Sequence, residues 1–261
     1  MDKITYLKLK AEREDKLKQS FKREAFCYQC YKLEAQCLCS QIKPFDSFFE
    51  FVLLIHPMEA KKEKMGTGRI TKAFLNNSRM ITGVDFTNNE EVNDLIKTRK
   101  CFVMYPGDNS YNVSKEDLSP FFEMKKNGEV PVIFLIDGTW PCAKKMMKLS
   151  INLHDLPRIS FDVDRESIFK IKEQPSKFCL STLESIHLFL DIVDQKNLLN
   201  LNHAHQQMLN VFQSMIDFQV RCASDPNLDS YRRKNKTGYK TNEERRPSKK
   251  WETRSIIYKG N

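Results

Sequence analysis

PVIFLIDGTWPCAKKMMK, residues 131–148, is the stretch that decides the fold class of this chain. Its apolar residues 132–136 run without a polar interruption and are mostly β-branched, which is typical of a strand buried on both faces. Asp137 ends that run, Gly138 permits a tight bend, and Pro141 suits the first turn of a helix. The stretch therefore predicts a strand, a turn and a helix, with a carboxylate at the carboxyl end of the strand.

Two other apolar runs also end abruptly, next to a proline. They are FVLLIHP at residues 51–57, which stops at His56, and CFVMY at residues 101–105, which is followed by Pro106. Helical segments separate the runs, and this alternation predicts an α/β fold with a mostly parallel sheet flanked by helices. Since the carboxyl ends of parallel strands lie at one edge of a sheet, we expect the three strand ends to meet there and form the site.

The remaining segments extend this pattern. Further strands are predicted at 80–86, 158–163 and around 168–171, and helices at 89–98, 114–126, from 181 or 182 onward and at about 202–222. The helix at 114–126 is expected to be capped by Ser114, with Asp117 three residues later. Gly-Thr-Gly at residues 66–68 is predicted to be a plain connecting loop, because it lacks the full spacing of a P-loop or dinucleotide fingerprint.

Four of the eight cysteines lie within thirteen positions, at Cys27, Cys30, Cys37 and Cys39. The first pair, spaced C-x2-C, can place two thiolates on one metal ion, and the second pair can complete a tetrahedron. The sequence thus predicts a structural Zn2+ site, although its C-x-C half is tighter than usual. A set of unrelated buried thiols is the alternative. With all four positions filled by protein, such a zinc ion could not activate water.

The net charge of +9 is concentrated at the two ends of the 261-residue chain. Residues 1–24 contain eight Lys or Arg against five Asp or Glu, and residues 221–261 contain twelve against five. The 196 residues between them therefore have a net charge of −1. Basic ends are either solubilising tails or sources of sequence-independent contacts to nucleic-acid phosphates.

Composition places the chain among soluble globular proteins, with 40% hydrophobic and 30% charged residues. No apolar run approaches the ~20 residues of a membrane span, and the first residues are charged where a signal peptide would be apolar. We therefore expect a cytoplasmic protein without membrane association, whose cysteines are reduced thiols or metal ligands. The predicted organisation is a helix and zinc module at 1–45, a catalytic α/β domain at 46–222 and a basic C-terminal arm at 223–261.

Several motifs in one order make residues 25–222 resemble the DTW-domain family of tRNA-uridine aminocarboxypropyltransferases. They are the cysteine quartet, IHPMEAKKEKMGTGR at 55–69, the Tyr105-Pro106 strand end, DGTW at 137–140 followed by AKK, and LSTLES at 180–185. That family is similar in fold to the SPOUT-like methyltransferases, so the resemblance implies a SPOUT-like domain with a trefoil knot. Without the resemblance, the pattern of elements would predict an unknotted chain.

The resemblance also implies an activity: transfer of the 3-amino-3-carboxypropyl group of S-adenosylmethionine to N3 of a uridine in tRNA, which leaves methylthioadenosine. Asp137 is the predicted catalytic residue: the preferred role is general base for the N3 proton, with its basicity raised by partial burial, and the alternative role is an anchor for the donor's amino group. Residues expected to bind S-adenosylmethionine are Tyr105, Pro106, Gly138, Thr139, Trp140, Leu180, Ser181, Thr182, Leu183 and Glu184. Other expected site residues are His56, Glu59, Thr67 and Arg69. Contacts to RNA are expected from Lys144, Lys145, Lys148, Arg232, Arg233 and Lys234.

Two functions of other classes stay open. A SPOUT-like RNA methyltransferase would differ only in which carbon of the donor faces the nucleophile, and a non-enzymatic zinc-containing RNA-binding module would use DGTW purely for structure. For single residues the alternatives are a helix cap for Asp137, a core side chain for Trp140 and a solvated face for the lysines. tRNA is the expected partner. No obligate protein partner is indicated, and the oligomeric state and the identity of the uridine are left open.

Overall fold

The structure, a computed structural model, describes residue 27 and residues 37–62, 66–107, 109–169, 171 and 176–224. Its strands are β1 (Glu50–Ile55), β2 (Ser78–Thr82), β3 (Cys101–Met104), β4 (Tyr111–Asn112), β5 (Val132–Asp137) and β6 (Arg158–Ser160). Its helices are α1 (Pro57–Lys62), α2 (Thr67–Phe74), α3 (Glu90–Thr98), α4 (Ser119–Lys126), α5 (Trp140–Leu149), α6 (Thr182–Gln195) and α7 (Gln207–Ser224), with 3-10 turns at Cys39–Gln41, Ile151–Leu153 and Ala204–Gln206. None of these helices is long and apolar enough to cross a bilayer.

The six strands form one sheet in the order β2-β1-β5-β3-β6-β4, and every pairing is parallel. β5 lies in the interior of the sheet. Its register with β1 places Asp137 beside Ile55, and its register with β3 places Leu135 beside Met104. The predicted α/β fold with a mostly parallel sheet flanked by helices is therefore confirmed.

Helices cover both faces of the sheet, which explains why β1 is apolar without alternation. Phe51 and Leu53 belong to a core that they share with α2, α4, α6 and α7, whereas Val52 and Leu54 belong to a second core with α3 and α5. The protein thus has three layers, helix, sheet and helix. We call the two sides of the sheet the α2/α6 face and the α3/α5 face.

Aromatic rings fill the centre of the larger core. Phe49, just before β1, meets Phe189 of α6 at a centroid distance of 4.9 Å and Phe121 of α4 at 5.6 Å, both edge to face. Phe51 of β1 meets the same Phe189 ring at 6.1 Å. Each such pair contributes about 0.5–1.5 kcal/mol beyond the area it buries, so these rings bind α4 and α6 to the sheet.

The segment between the cysteines and β1 is docked on the same face. Ile42 and Phe45 are buried in the larger core, and Phe45 forms a parallel β-bridge with Leu75 after α2. The Lys43 backbone exchanges two hydrogen bonds with the Gln207 side chain at the start of α7, at 2.9 and 2.7 Å. The chain that leaves the cysteines is therefore fixed on the α/β core.

The carboxyl ends of β1 and β5 lie at the switch point of the sheet. The connection from β1, through α1 and α2, leads to β2 on one side, and the connection from β5, through α5, leads to β6 on the other. Because β1 and β5 are neighbours, their connections diverge and leave a crevice where open α/β sheets bind ligands. His56 and Asp137 lie at this crevice.

The predicted helix at 114–126 is wrong at its start. The helix begins at Ser119, with Pro120 in its first turn. The Ser114 hydroxyl instead accepts a hydrogen bond from the Asp162 backbone N–H at 2.9 Å, and the Ser114 N–H donates to the Asn112 side chain at 3.0 Å. The Ser114 hydroxyl, which the local sequence predicts to be a helix cap, therefore joins the loops after β4 and β6 instead.

The strand predicted around 168–171 is also wrong for the residues described there, since Ile168 and Phe169 are in no strand. The Ile168 N–H donates to the Glu184 carboxylate at 2.8 Å, and the Phe169 N–H donates to the Ser167 hydroxyl at 3.1 Å. Side chains satisfy these backbone groups, so no neighbouring strand is needed. The Gly-Thr-Gly loop is likewise shorter than predicted, because α2 begins at Thr67.

A buried polar cluster joins α6 to the turn before α7. His187 and His205 are each 1% exposed. Gln206 lies between them, with its amide oxygen 3.2 Å from His187 Nε2 and its amide nitrogen 3.0 Å from Asp191 Oδ1. Burial lowers the pKa of His187 to about 4, and the hydrogen bond with Gln206 only partly opposes that effect. His187 is therefore neutral near pH 7.

We expect acid to destabilise the fold through His187. Because its pKa is about 4 in the folded chain against an ordinary value of 6.5, its contribution is complete above pH 6.5 and is lost as the pH falls toward 4. The loss reaches about 3 kcal/mol of unfolding free energy.

Urea unfolding at about pH 7 and about pH 4.5 should show a smaller loss of unfolding free energy for His187→Gln than for the wild type. His154→Gln, at an exposed position, should behave as the wild type, and an equal loss in His187→Gln would contradict the prediction.

Candidate functional site

Asp137 is the buried carboxylate of the crevice, 8% exposed. Its Oδ1 accepts a 2.6 Å hydrogen bond from the hydroxyl of Thr182, the first residue of α6. Its Oδ2 packs against Gly68, which follows the buried Thr67 in the first turn of α2, and a methyl group on Gly68 would overlap that oxygen. The Asp137 carbonyl accepts from the His56 N–H at 2.9 Å. Asp137 therefore links β5 to β1, α2 and α6, and the N-termini of both helices favour its negative charge.

A capping box holds the N-terminus of α6 in place. The Ser181 hydroxyl accepts from the Glu184 N–H at 3.4 Å, and the Glu184 carboxylate accepts from the Ser181 N–H at 2.8 Å. The same buried carboxylate accepts from the Ser167 hydroxyl at 2.9 Å and from the Ile168 N–H at 2.8 Å. Glu184 thus fixes the preceding loop on the end of α6, and with it the position of Thr182.

The predicted residues after β1 are brought together by α1 and α2. His56 Nδ1 accepts from the Met58 N–H at 3.2 Å, and the His56 carbonyl accepts from the N–H of Glu59, which is 9% exposed. Arg69 in α2 donates to the Ala60 carbonyl of α1 at 2.8 Å. These contacts tie the two short helices together on one side of the crevice.

Tyr105 and Pro106 follow β3 at the same edge. The Tyr105 N–H donates to the Ile159 carbonyl at 3.2 Å, which continues the pairing of β3 with β6. The Arg158 guanidinium lies over the Tyr105 ring, with Cζ 5.7 Å from the ring centroid. Burial raises the pKa of the Tyr105 phenol, although the positive charge of Arg158 opposes the change. The phenol is therefore neutral near pH 7 and can donate a hydrogen bond.

The DGTW turn joins β5 to α5. The Thr139 carbonyl accepts a 2.8 Å hydrogen bond from the backbone of α5. A side chain at Gly138 would begin 3.3 Å from Cys142 Cβ and 3.5 Å from His56 Cβ, so the glycine allows α5 and the end of β1 to approach closely. Trp140 is half-buried at the first position of α5. This position is compatible with both predicted roles of Trp140, a contact to the donor and a side chain of the core.

The other predicted residues are distributed as follows. Leu183 is buried in the larger core, and Leu180 is half-buried before the cap. Exposed positions on α5 are occupied by Lys144, Lys145 and Lys148. The residues outside the described part of the chain are Cys30, Arg232, Arg233 and Lys234. The roles assigned to all of these residues stay predictions.

Sequence analysis missed two residues at this edge, Gly68 and Arg158. Gly68 belongs to the family motif at 55–69, and that motif is the signal that could have marked it. No local pattern marks Arg158, because its place at the edge depends on the pairing of β6 with β3.

The cysteine cluster lies at the start of the described chain. The sulfur atoms of Cys27, Cys37 and Cys39 lie within 4.8 Å of one another, and those of Cys27 and Cys39 are 3.7 Å apart. Thiolates about 2.3 Å from one tetrahedral zinc ion would be about 3.8 Å apart, so the spacing fits such a site. The Cys39 N–H lies 3.4 Å from the Cys37 sulfur and helps to orient it. The cluster could hold a metal ion, and Cys30 is the predicted fourth ligand.

Fold and site together define an α/β protein with an all-parallel sheet, a buried acid at the switch point and an N-terminal cysteine cluster that could bind a metal ion. The family model of the DTW domain matches residues 24–220, which include each of these features. The chain belongs to the DTW domain family.

Three curated proteins similar to this chain share one name. The Drosophila melanogaster protein "tRNA-uridine aminocarboxypropyltransferase 2" is 27% identical over 177 residues, which cover 65% of this chain and 67% of the relative. Proteins of that name from Macaca fascicularis and Mus musculus are 25% identical over 207 residues and 26% identical over 208 residues. Those matches cover 77% and 76% of this chain but 65% of each relative, so the chain spans about two thirds of these relatives' length. No solved structure matches the chain.

We expect Gly68→Ala to destabilise the protein by about 1–3 kcal/mol, because the added methyl group must displace the Asp137 carboxylate. A double-mutant cycle with Asp137→Ala, measured by urea unfolding, tests the cause. The cost of Gly68→Ala should fall in the Asp137→Ala background, where the overlapping oxygen is gone. Equal costs in the two backgrounds would show that the glycine is needed for another reason.

The cysteine cluster is expected to bind about one zinc ion per chain, measured by mass spectrometry of metals in protein purified without added metal. Cys37→Ser and Cys39→Ser should lose that zinc. Cys101→Ser should retain it, because Cys101 is a buried thiol of β3 whose pKa burial raises to about 11. Folded wild-type protein without metal would refute the prediction.

Proposed function

We propose that this protein transfers the 3-amino-3-carboxypropyl group of S-adenosylmethionine to N3 of a uridine in tRNA and releases methylthioadenosine. The observation that carries the proposal is membership of the DTW domain family, together with relatives named tRNA-uridine aminocarboxypropyltransferase 2. The geometry supports it with a buried acid in a crevice between parallel strands, next to the N-termini of α2 and α6.

The reaction sets two tasks for the site. The bond from uridine N3 to the donor's γ-carbon forms while the bond from that carbon to the sulfonium sulfur breaks, and the sulfur keeps the electron pair. Uridine N3 loses its proton in the process. The protein must therefore orient the amino-acid arm of the donor so that the γ-carbon, rather than the methyl group, faces the nucleophile, and must allow the proton to leave.

Asp137 has two candidate roles, as the base for the N3 proton or as the anchor for the donor's ammonium group. Its contacts favour the anchor. Thr182 fixes one carboxylate oxygen, Gly68 covers the other, and the side chain as a whole is buried. A carboxylate held in one orientation suits a ligand group that must be placed with accuracy.

The surrounding surface is assigned to the donor and the RNA. We assign the donor to a surface formed by Tyr105, Pro106, the DGTW turn and the residues that lead into α6. Glu184 supports the residues that lead into α6 through its capping contacts. Trp140, half-buried beside the turn, would wall the site or stack on a base. The exposed lysines of α5 and the basic ends of the chain would contact tRNA phosphates.

Four further parts of the proposal rest on the resemblance or on composition. Zinc is the metal of the cysteine cluster and has a structural role. The α/β domain is SPOUT-like and contains a trefoil knot. The protein is cytoplasmic, and it acts without an obligate protein partner.

Incubation of the purified protein with S-adenosylmethionine and unmodified tRNA tests the activity. We expect methylthioadenosine to be released and one tRNA uridine to gain the mass of an aminocarboxypropyl group, and nucleoside mass spectrometry with mapping would locate it. A gain of one methyl group would identify an RNA methyltransferase instead. If no tRNA pool gives either product, the enzyme proposal fails and the RNA-binding module is the better explanation.

Asp137→Asn is the control variant for this assay, because it keeps the size of the side chain and removes the charge. If Asp137 anchors the donor, binding of S-adenosylmethionine should weaken by about 10- to 100-fold. If it is the base, donor binding should be unchanged while kcat falls. A folded Asp137→Asn protein with wild-type binding and turnover would exclude both roles.

A further inference from the structure

Arg158, the first residue of β6, reaches the edge of the sheet occupied by Tyr105. It pairs in register with Val103, which belongs to the α3/α5 core, so its side chain starts on the α3/α5 face. The guanidinium lies over the Tyr105 ring at 5.7 Å from the centroid. A methyl group on Gly107 would come within 2.7 Å of Arg158 Nη1 and 3.4 Å of its Cδ, so the missing side chain at position 107 makes room for the arginine.

Gly107 is held beside this guanidinium by contacts with Ser110. The Gly107 carbonyl accepts from the Ser110 N–H at 3.1 Å and from the Ser110 hydroxyl at 2.7 Å. The Ser110 hydroxyl also lies 2.7 Å from the hydroxyl of Ser160 at the end of β6. The surroundings of Arg158 are therefore already formed by contacts within the protein.

The charge of Arg158 is not used by a protein acceptor in the described part of the chain, where the guanidinium lies over the Tyr105 ring. Three other arginines differ in this respect: Arg79 and Arg99 both lie beside the Glu50 carboxylate, and Arg69 donates to a backbone carbonyl of α1. A guanidinium that is stacked on a ring has already lost part of its conformational freedom. Binding of an oxyanion to its free donors then costs less entropy.

We propose that Arg158 binds the carboxylate of the donor's amino-acid arm. The inference rests on the proposed function and adds to it a specificity-determining residue that no motif marks. A carboxylate and a tRNA phosphate share the chemistry that a guanidinium recognises, two oxygens that accept parallel hydrogen bonds. Position favours the carboxylate, because Arg158 is half-buried behind Tyr105 and Gly107, whereas the lysines assigned to phosphates are exposed on α5.

This contact would help to decide which carbon of the donor reacts. The sulfonium sulfur carries a methyl group and the amino-acid arm, and either could face a nucleophile. A guanidinium that holds the far end of the arm restricts its rotation and so favours attack at the γ-carbon. Arg158 would thus act on the choice between aminocarboxypropyl and methyl transfer.

Calorimetric binding of two donors tests the proposal. Arg158→Gln should bind S-adenosylmethionine about 10- to 100-fold more weakly than the wild type. It should bind decarboxylated S-adenosylmethionine as the wild type does, because that compound lacks the carboxylate. The affinity of Arg158→Lys for S-adenosylmethionine should lie between those of the wild type and Arg158→Gln, since a lysine keeps the charge without the planar fork. Lys97→Gln, the same charge change at an exposed position on α3, should leave both affinities unchanged.

Three results would overturn the assignment. An equal loss for both donors would mean that Arg158 only shapes the site. If Arg158→Gln binds the donors normally but binds tRNA more weakly at the same salt concentration, Arg158 contacts a tRNA phosphate instead. Wild-type affinity of Arg158→Gln for both donors and for tRNA would remove any binding role. If the wild-type protein binds no S-adenosylmethionine, the proposed function itself fails, which the wild-type titration distinguishes from a failure at Arg158 alone.

Discussion

The hydrogen bond from Thr182 to Asp137 is the contact on which the geometry of the carboxyl edge depends. It joins the end of a central strand to the N-terminus of α6 across 45 residues of chain, and Gly68 of α2 closes the other side of the carboxylate. A buried negative charge is costly unless donors and dipoles compensate for it. Here a hydroxyl and two helix N-termini do so, and the carboxylate in turn contacts the first turn of each helix.

The two faces of the sheet present opposite charges at this edge. Asp137 belongs to the α2/α6 face, where it meets Gly68 and Thr182, whereas Arg158 belongs to the α3/α5 face, where it lies over Tyr105. β5 and β6 are separated by β3, so the two groups lie on either side of one strand end. An amino-acid group carries an ammonium and a carboxylate on one carbon. In the proposed function, Asp137 would bind the ammonium and Arg158 the carboxylate.

The cysteine cluster is connected to the same core by a short segment. From Ile42 to Phe49 the chain is anchored by buried aromatic rings, by the bridge from Phe45 to Leu75 and by the paired hydrogen bonds between Lys43 and Gln207. A metal ion held by the cysteines would therefore stabilise the chain next to α7 and the larger core. Metal binding energy of this kind is available to folding, because the unfolded chain offers no preformed site.

The sequence by itself determined the elements whose signals act over a few neighbouring residues. The apolar run at 132–136 identified a strand buried on both faces, and the residues at 181 and 182 identified the start of α6. Family motifs marked residues of the crevice and of the cysteine cluster, because DGTW and the cysteine spacing are local strings. Tertiary structure decided the rest. Ser114 does not cap a helix, because its hydroxyl accepts a hydrogen bond from another loop. Gly68 is needed because the Asp137 carboxylate packs on it, and Arg158 reaches the edge only because β6 pairs with β3. Such contacts join residues far apart in the chain, and the register and layer packing that bring them together are not written in any local pattern.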